Sequence, residues 1–511
     1  MSTPTAVIRC GSQVRTHSEV KSRAARLATG LSQLGLRIGD RYAILMRNEI
    51  GFIEATLAGA ALGAVPVPVN WHWTGDDLAH LLVDSACKAV VVHTDFLPAL
   101  EAVIPGGCDI IEAAVPAVVA DAYQFERPEL TDRYPHTEAL IEANDHYSDA
   151  VGAPPLSVIY TSGTTGKPKG ILRQPVAPED TARLIELVVA GLGLGTARST
   201  LVAAPLYHTA PNTHAIFACA LGMTVEIMPR FDAEELLRTV QDHRIEHVQA
   251  VPTMFIRMLK LPAELRHRYD TSSLTGVVHA AAPCPPEVKR EMIDWLGPIV
   301  FEYYGGSETG AAVLCTSTEW LEHPGTVGRP FGGAAVKILA TDGRELPPGS
   351  HGDIYIRPVE GWPEFTFLGN PEKRREMERD GFITVGDIGY LDEEGFLYLS
   401  DRRNDMVISG GVNIYPAEIE SCIVGMDGVA DVAVFGIPDP DFGESLAAHV
   451  QPAEGTQLDA DAVRTHVAGH LAKYKVPKVV VFETELPRED TGKLFKRKLK
   501  APYWRDAAML K

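Results

Sequence analysis

The sequence predicts an α/β protein with a large N-terminal part of parallel-rich sheets layered with helices, a small antiparallel β piece, and a small α+β C-terminal part. Strand and helix signals alternate over residues 1–150, and strand signals of the same kind return between 200 and 304. From Ala334 the pattern changes to short strands separated by turns. A charged stretch, Asp401-Arg402-Arg403-Asn404-Asp405, then precedes a tail with strand and helix signals of its own. The expected domains are therefore residues 1–403 and 404–511.

In chain order, Ser18–Leu34 reads as an amphipathic helix, apolar at Ala24, Leu27, Leu31 and Leu34 and stopped by Gly35. Tyr42–Met46 is a short apolar strand, Gly51–Leu62 a small-residue helix, Ala64–Asn70 a strand, Gly75–Ser85 a helix and Ala89–His93 a valine-rich strand. Such alternation implies a mostly parallel sheet covered by helices. Ser157–Tyr160, Thr200–Ala204, Gly222–Met228, His247–Val251, Gly276–His279 and Ile299–Tyr304 are further strand candidates. Ala335–Ile338, Gly352–Ile356, Phe382–Val385 and Phe396–Leu399 form the antiparallel set.

The 511 residues are 45% hydrophobic and 22% charged, as in ordinary globular proteins. A net charge of −20 excludes nucleic acid as the main partner, because phosphate backbones need concentrated Lys and Arg. No apolar run approaches the roughly 18 residues of a membrane span. Met1–Arg9 lacks the basic and apolar regions of a secretory signal. The seven cysteines show no C-x-x-C spacing, so neither a zinc site nor a disulfide framework is expected, and a cytoplasmic location is the simplest expectation.

Three stretches carry chemistry. Thr161-Ser162-Gly163-Thr164-Thr165-Gly166-Lys167-Pro168-Lys169-Gly170 follows an apolar strand; its glycines admit backbone N–H groups to phosphate oxygens, and its hydroxyls and lysines add donors and charge. The spacing is not that of P-loop NTPases, and Pro168 disfavours a helix starting at Lys167. Tyr303-Tyr304-Gly305-Gly306-Ser307-Glu308-Thr309-Gly310 offers a ring for a purine, a hydroxyl for phosphate and a hard oxygen ligand suited to Mg²⁺. Thr384–Gly389 places the Asp387 carboxylate, able to accept from both ribose hydroxyls, after a strand. Taken alone, a Gly-Asp turn, a lone His208 and a basic tail around Lys493 would each be ordinary structural features.

Together these stretches resemble the signature motifs of the adenylate-forming superfamily, in the expected order along almost the whole chain, and most closely those of acyl-CoA synthetases and aryl-CoA ligases. The resemblance implies ATP with Mg²⁺ bound across Thr161, Ser162, Gly163, Thr164, Thr165, Gly166 and Lys169. Ala281 and Ala282 would lie on the adenine side, with Tyr304, Gly305 and Ser307 beside the nucleotide, Asp387 on ribose, Arg402 near it and Glu308 on the metal. Lys493, in a P-x-x-x-x-G-K-x-x-x-R stretch, would bridge substrate carboxylate and α-phosphate, in a catalytic set with Glu308, His208 and Thr161. Tyr207, Thr209, Ala210, Tyr303, Gly306, Gly310 and Ala311 would wall the acyl pocket, their small members leaving room for a medium-to-long or ring-bearing acid.

Asn404 matches the hinge of a mobile C-terminal domain, and Gly410 and Gly411 the pantetheine passage. Phe442, Tyr474, Lys475 and Lys478 lie where CoA ligases hold the adenosine 3′-phosphate. The chain departs from the family pattern at Ala281 (usually Gly), Ser307 (usually Thr), Asn404 (usually Asp or Lys) and Val476 (Arg in some relatives). The resemblance therefore implies a carboxylic acid, ATP and CoA as small-molecule partners. An adenylate former serving a carrier protein or an amine, a non-catalytic relative, and a homodimer stay open at this level.

Overall fold

A computed structural model of the chain describes residues 5–147, 156–161, 167–176, 180–488 and 494–509. Its largest sheet has nine strands, in the order Arg329–Pro330, Val313–Cys315, Val300–Tyr304, Gly276–His279, His247–Ala250, Ser199–Val202, Thr224–Ile227, Val7–Cys10 and Gln13–Thr16. Pairing is parallel from Val300–Tyr304 through to Val7–Cys10 and antiparallel at both ends. A second, all-parallel sheet orders Val65–Pro68, Arg41–Leu45, Ala89–His93 and Asp109–Ala113. Parallel strands covered on both faces read as continuous apolar runs. Ala89–His93 is buried at every position, which is why it is so legible.

Helix His17–Gln33 packs against helix Ile50–Leu62. Thr16 and Glu19 close the first in a capping box, and Val20, Ala24, Leu27, Ala28 and Leu31 form its buried face. Val20, Leu27, Ala28 and Leu31 join Tyr42, Phe52 and Ile53 in the main apolar core.

The antiparallel piece is a five-stranded sheet of Ala335–Leu339, Gly352–Arg357, Phe382–Leu391 and Glu378–Arg379, with Leu397–Arg402 also on Phe382–Leu391. Two of its strands outrun their expected ends. Phe382–Leu391 passes through Asp387 instead of stopping before it, and Leu397–Arg402 absorbs Asp401 and Arg402 from the supposed link. Asp387 stands opposite Arg402 in this ladder; opposite charges across a ladder support pairing, yet they look like linker in a hydropathy pattern. Ser157–Tyr160 is corrected similarly to Ile159–Thr161, since Val158 N donates instead to Pro66 O at 2.9 Å.

Every strand of the last sheet follows Asn404: Val412–Ile414, Val407–Ser409, Gly443–Pro452 and Val429–Asp439, with Val479–Phe482 parallel to Gly443–Pro452. Helices Pro416–Val424 and Ala460–His470 pack together through Ile419, Ile423, Val463 and Val467, in one cluster with Val434 and Val450. Among the described residues no helix is long and apolar enough to cross a membrane.

Candidate active site

Strands Ile159–Thr161 and Lys169–Arg173 form a hairpin with Thr161 opposite Lys169. Pro168 thus precedes a strand and not a helix. Helix Gly75–Asp84 anchors both arms: His80 Nε2 donates to the Pro168 carbonyl at 2.9 Å, and Asp84 accepts the Tyr160 hydroxyl at 2.6 Å. Gly170 lies so close under the Tyr160 ring that a Cβ there would stand 2.7 Å from it. Ser162, Gly163, Thr164, Thr165 and Gly166 lie outside the described residues, as does Lys493.

The second arm ends on Arg173, a buried cation that no motif marks. Its guanidinium donates to the Ser307 carbonyl and sits 5.6 Å over the Trp362 ring. Burial brings this guanidinium down to about 10, while the Glu308 charge opposes the shift. Burial likewise pushes the Glu308 carboxyl up, opposed by its own backbone hydrogen bond and by the Arg173 and Arg402 charges. Each of the two groups is destabilised by lost hydration, and each charge partly offsets that cost for the other. Glu308 Oε2 lies 2.7 Å from where a Cβ of Gly306 would stand, so the carboxylate borders bare backbone. An incompletely neutralised carboxylate in that setting fits a hard divalent cation shared with phosphate oxygens.

The Tyr303–Gly310 loop is folded on itself: Gly306 N donates to Thr309 Oγ1 at 2.8 Å and Gly310 N to Gly306 O at 2.9 Å. Close packing accounts for two of its glycines. A Cβ at Gly305 would meet Gly310 O at 1.8 Å, and one at Gly310 would meet the Trp362 indole at 2.5 Å. Close backbone approach and a tryptophan lid require glycine at these two positions. Trp362 Nε1 donates to Glu308 O at 3.3 Å, closing the lid.

Ser307 Oγ and Thr209 Oγ1 stand 2.6 Å apart, joining this loop to the start of helix Thr209–Ala220. Before that helix come the buried Tyr207 and the half-buried His208, their rings 4.4 Å apart. Asn48, another residue without a motif, positions the segment by accepting from Leu206 N at 2.7 Å and donating to Ala204 O at 3.0 Å. Ala210, Tyr303 and Ala311 are half-buried nearby in the chain.

On the other side Tyr304, buried, donates its hydroxyl to Asp387 Oδ2 at 2.8 Å, and Arg402 Nε stands 3.4 Å from Asp387 Oδ1. Gly386 adopts φ +84°, a left-handed kink just before Asp387, and its carbonyl accepts from Arg403 N at 2.8 Å. Ala281 holds φ +76°, a conformation that favours glycine; the substitution strains the backbone, and Ala282 follows it. A cavity of about 440 Å³ opens beside Glu308, walled by Trp362, Phe365, Ile383, Arg357 and Arg374. Of the described residues selected from sequence, Glu308 alone lines it.

In the C-terminal part, Gly410 and Gly411 have φ +56° and +82°. Gly410 N donates to Phe442 O at 2.8 Å, whereas a Cβ at Gly411 would meet nothing within 4 Å. Phe442 and Tyr474 are half exposed. Lys475 Nζ is 2.5 Å from Glu418 and Lys478 Nζ 2.5 Å from Asp439, whose carboxyl that lysine holds at about 2. Both lysines would have to leave a carboxylate to meet a phosphate. Asn404 lies in the turn after Leu397–Arg402 and is not among the described non-glycine residues with positive φ.

Comparison with known proteins places the chain in a family. Residues 3–359 match the family model of the AMP-binding enzyme, and residues 418–493 that of the AMP-binding enzyme C-terminal domain. A feruloyl-CoA synthase of Amycolatopsis sp is 34% identical over 503 residues, 97% of this chain and 95% of that one. The long-chain-fatty-acid–CoA ligase FadD13 of Mycobacterium tuberculosis is 31% identical over 490 residues, 96% and 93% of the two chains. Among solved structures, the o-succinylbenzoate CoA synthetase MenE from Bacillus subtilis, in complex with its acyl-adenylate intermediate, superposes with a TM-score of 0.81 at 26% identity, covering 98% of this chain and 96% of that one. Matched over both its large and small parts, the chain belongs to the AMP-binding enzyme family.

Proposed function

We propose that this chain is an AMP-forming acid–CoA ligase that makes an acyl-adenylate from a carboxylic acid and ATP and then transfers the acyl group to the CoA thiol. The observation that carries this reading is one half-buried cluster in which Arg173, Ser307 and Glu308 meet Thr209 on one side, while Tyr304 carries Asp387 on the other. An acid-side helix, a phosphate-side charge pair and a ribose-side carboxylate thereby share one loop.

In the first step a carboxylate oxygen attacks the α-phosphorus of ATP, a P–O bond forms to give acyl-AMP, and pyrophosphate leaves with the broken bond's electrons. Two anions must meet, so catalysis is positioning and charge neutralisation. Lys493 would supply an ammonium to the α-phosphate and carboxylate, Arg173 and Ser307 would orient the phosphate side, and Asp387 would hold the ribose. Glu308 would hold Mg²⁺, which supplies charge neutralisation to the phosphate oxygens when bound. His208 and Tyr207 would border the carboxylate.

In the second step the CoA sulfur attacks the acyl carbon, AMP leaves, and the thiol proton passes to solvent. Asn404 would be the hinge between residues 1–403 and 404–511, bringing Gly410 and Gly411 to the acyl-adenylate. A ring-bearing or long-chain acid is favoured by likeness to the feruloyl and long-chain ligases, and free cysteines fit a cytoplasmic enzyme.

A second reading, acyl transfer to a carrier protein, is favoured by the ion pairs that occupy Lys475 and Lys478. Pyrophosphate release across a panel of carboxylic acids, with and without free CoA, tests both. Thioester formation with free CoA supports the ligase; acyl-AMP without thioester at saturating CoA replaces it with the carrier reading. Lys493→Ala should abolish pyrophosphate release yet convert synthetic acyl-AMP plus CoA nearly normally; equal loss in both steps would remove Lys493 from its assigned role.

A further inference from the structure

The cysteine spacing gave no reason to expect a zinc-class site, but folding assembles one group of soft and borderline ligands on the C-terminal part. Cys422, from helix Pro416–Val424, meets His466 and His470, from helix Ala460–His470, with one ligand atom of each within 4.8 Å of the others. His466 and His470 are one helical turn apart, so both project from the same side, and their ring centroids are 4.4 Å apart.

The hydrogen bonds require a proton on one nitrogen of each ring. His466 Nε2 is 3.1 Å from the Cys422 carbonyl, and His470 Nδ1 is 2.8 Å from the His466 carbonyl. A carbonyl can only accept, so these nitrogens donate, and in the neutral rings the lone pairs sit on Nδ1 of His466 and Nε2 of His470. A backbone carbonyl holding the far ring nitrogen is the usual support of a metal-bound histidine. Among the described residues no carboxylate joins the group, and one thiol with two imidazoles selects zinc-class ions over Mg²⁺ or Ca²⁺.

We propose that Cys422, His466 and His470 bind one borderline divalent cation of the zinc class, with water in the fourth position. Zinc–ligand bonds of about 2.0–2.3 Å place tetrahedral ligands about 3.3–3.8 Å apart, so the three side chains close by about 1 Å on binding. Cys422 and His466 are half-buried, whereas His470 is exposed and a Cβ at the neighbouring Gly469 would meet nothing within 4 Å. An ion therefore has a path in from solvent. Bound, it replaces the thiol proton, which goes to solvent, and ties the two helices together. This site is separate from the proposed reaction and does not depend on it.

Cobalt(II) is the probe, titrated into the full chain after EDTA treatment and dialysis. One equivalent should bind with a thiolate-to-cobalt charge-transfer band and the intense visible bands of a tetrahedral ion. Cys422→Ser should remove the charge-transfer band, and His470→Ala should weaken binding at least tenfold, with circular dichroism and pyrophosphate release unchanged. Absence of a thiolate band in the wild type overturns the proposal, and so does an identical band and stoichiometry in Cys422→Ser. If Cys422→Ser fails to fold, the exposed His470→Ala decides: unchanged cobalt affinity refutes the site.

Discussion

Tyr304→Phe removes a single oxygen from the nucleotide side of the site. The hydroxyl is a buried donor to Asp387 at 2.8 Å, and the ring belongs to an apolar cluster with Val313, Val327 and Ile354, so phenylalanine keeps the packing. A buried hydrogen bond to a carboxylate contributes about 1.5–3 kcal/mol. A further partner of Asp387, Arg402, stands 3.4 Å away with its side chain 42% exposed; a pair that open to solvent is worth less than about 1 kcal/mol. If Asp387 binds ribose, loss of the Tyr304 hydrogen bond should raise the ATP dissociation constant and KM about tenfold to a hundredfold, while KM for the acid stays within about twofold. Calorimetric titration of ATP, with pyrophosphate-release kinetics, reads both quantities. The double variant with Asp387→Asn should lose little more than Asp387→Asn alone, because the two residues act as one unit. An unchanged ATP affinity in Tyr304→Phe, or fully additive losses in the double variant, would refute the chain of reasoning from Tyr304 through Asp387 to ribose.

At Ala281, φ +76° costs an L-residue about 1–2 kcal/mol, against the roughly 0.4–1 kcal/mol of extra unfolded-state freedom that glycine brings; Ala281→Gly should gain up to about 1 kcal/mol in urea unfolding, and a loss would mean the residue is not strained. Burial raises Asp401 to about 6, partly opposed by the Lys496 charge and the hydrogen bond from Ala417 N. Its protonated form is therefore favoured by folding, so this contribution is complete below pH about 4 and lost as pH rises through 6, up to about 3 kcal/mol in all; Asp401→Asn should flatten that part of the stability–pH curve, and an identical wild-type slope would refute the burial argument. Gly411 has φ +82° and open space around it; Gly411→Leu should leave single-turnover pyrophosphate release near wild type and suppress acyl-CoA formation at least tenfold, whereas equal loss of both would remove it from the thiol path.

What could be read from the sequence was local. Ala89–His93 is a strand in both readings because five consecutive buried positions leave an unbroken apolar run, and the helix from His17 is legible because Thr16, Glu19 and a 3.6-residue apolar period lie within a few turns. The phosphate-loop, Tyr304–Glu308 and Asp387 segments stood out because glycine, hydroxyl and charge sit side by side in the chain. Tertiary structure alone decided which of them meet. The Arg173 bond to Ser307 spans 134 positions, and that of Tyr304 to Asp387 spans 83. It also decided why Gly305 and Gly310 are glycine, and that a cysteine and two histidines with no linear motif share one spot. Periodicity and turn chemistry act over a few residues, where the backbone itself sets geometry. Burial of a charge, a lid over a glycine or a ligand triad depends on which surfaces the sheets press together, a property of the packed chain that neighbouring residues do not carry.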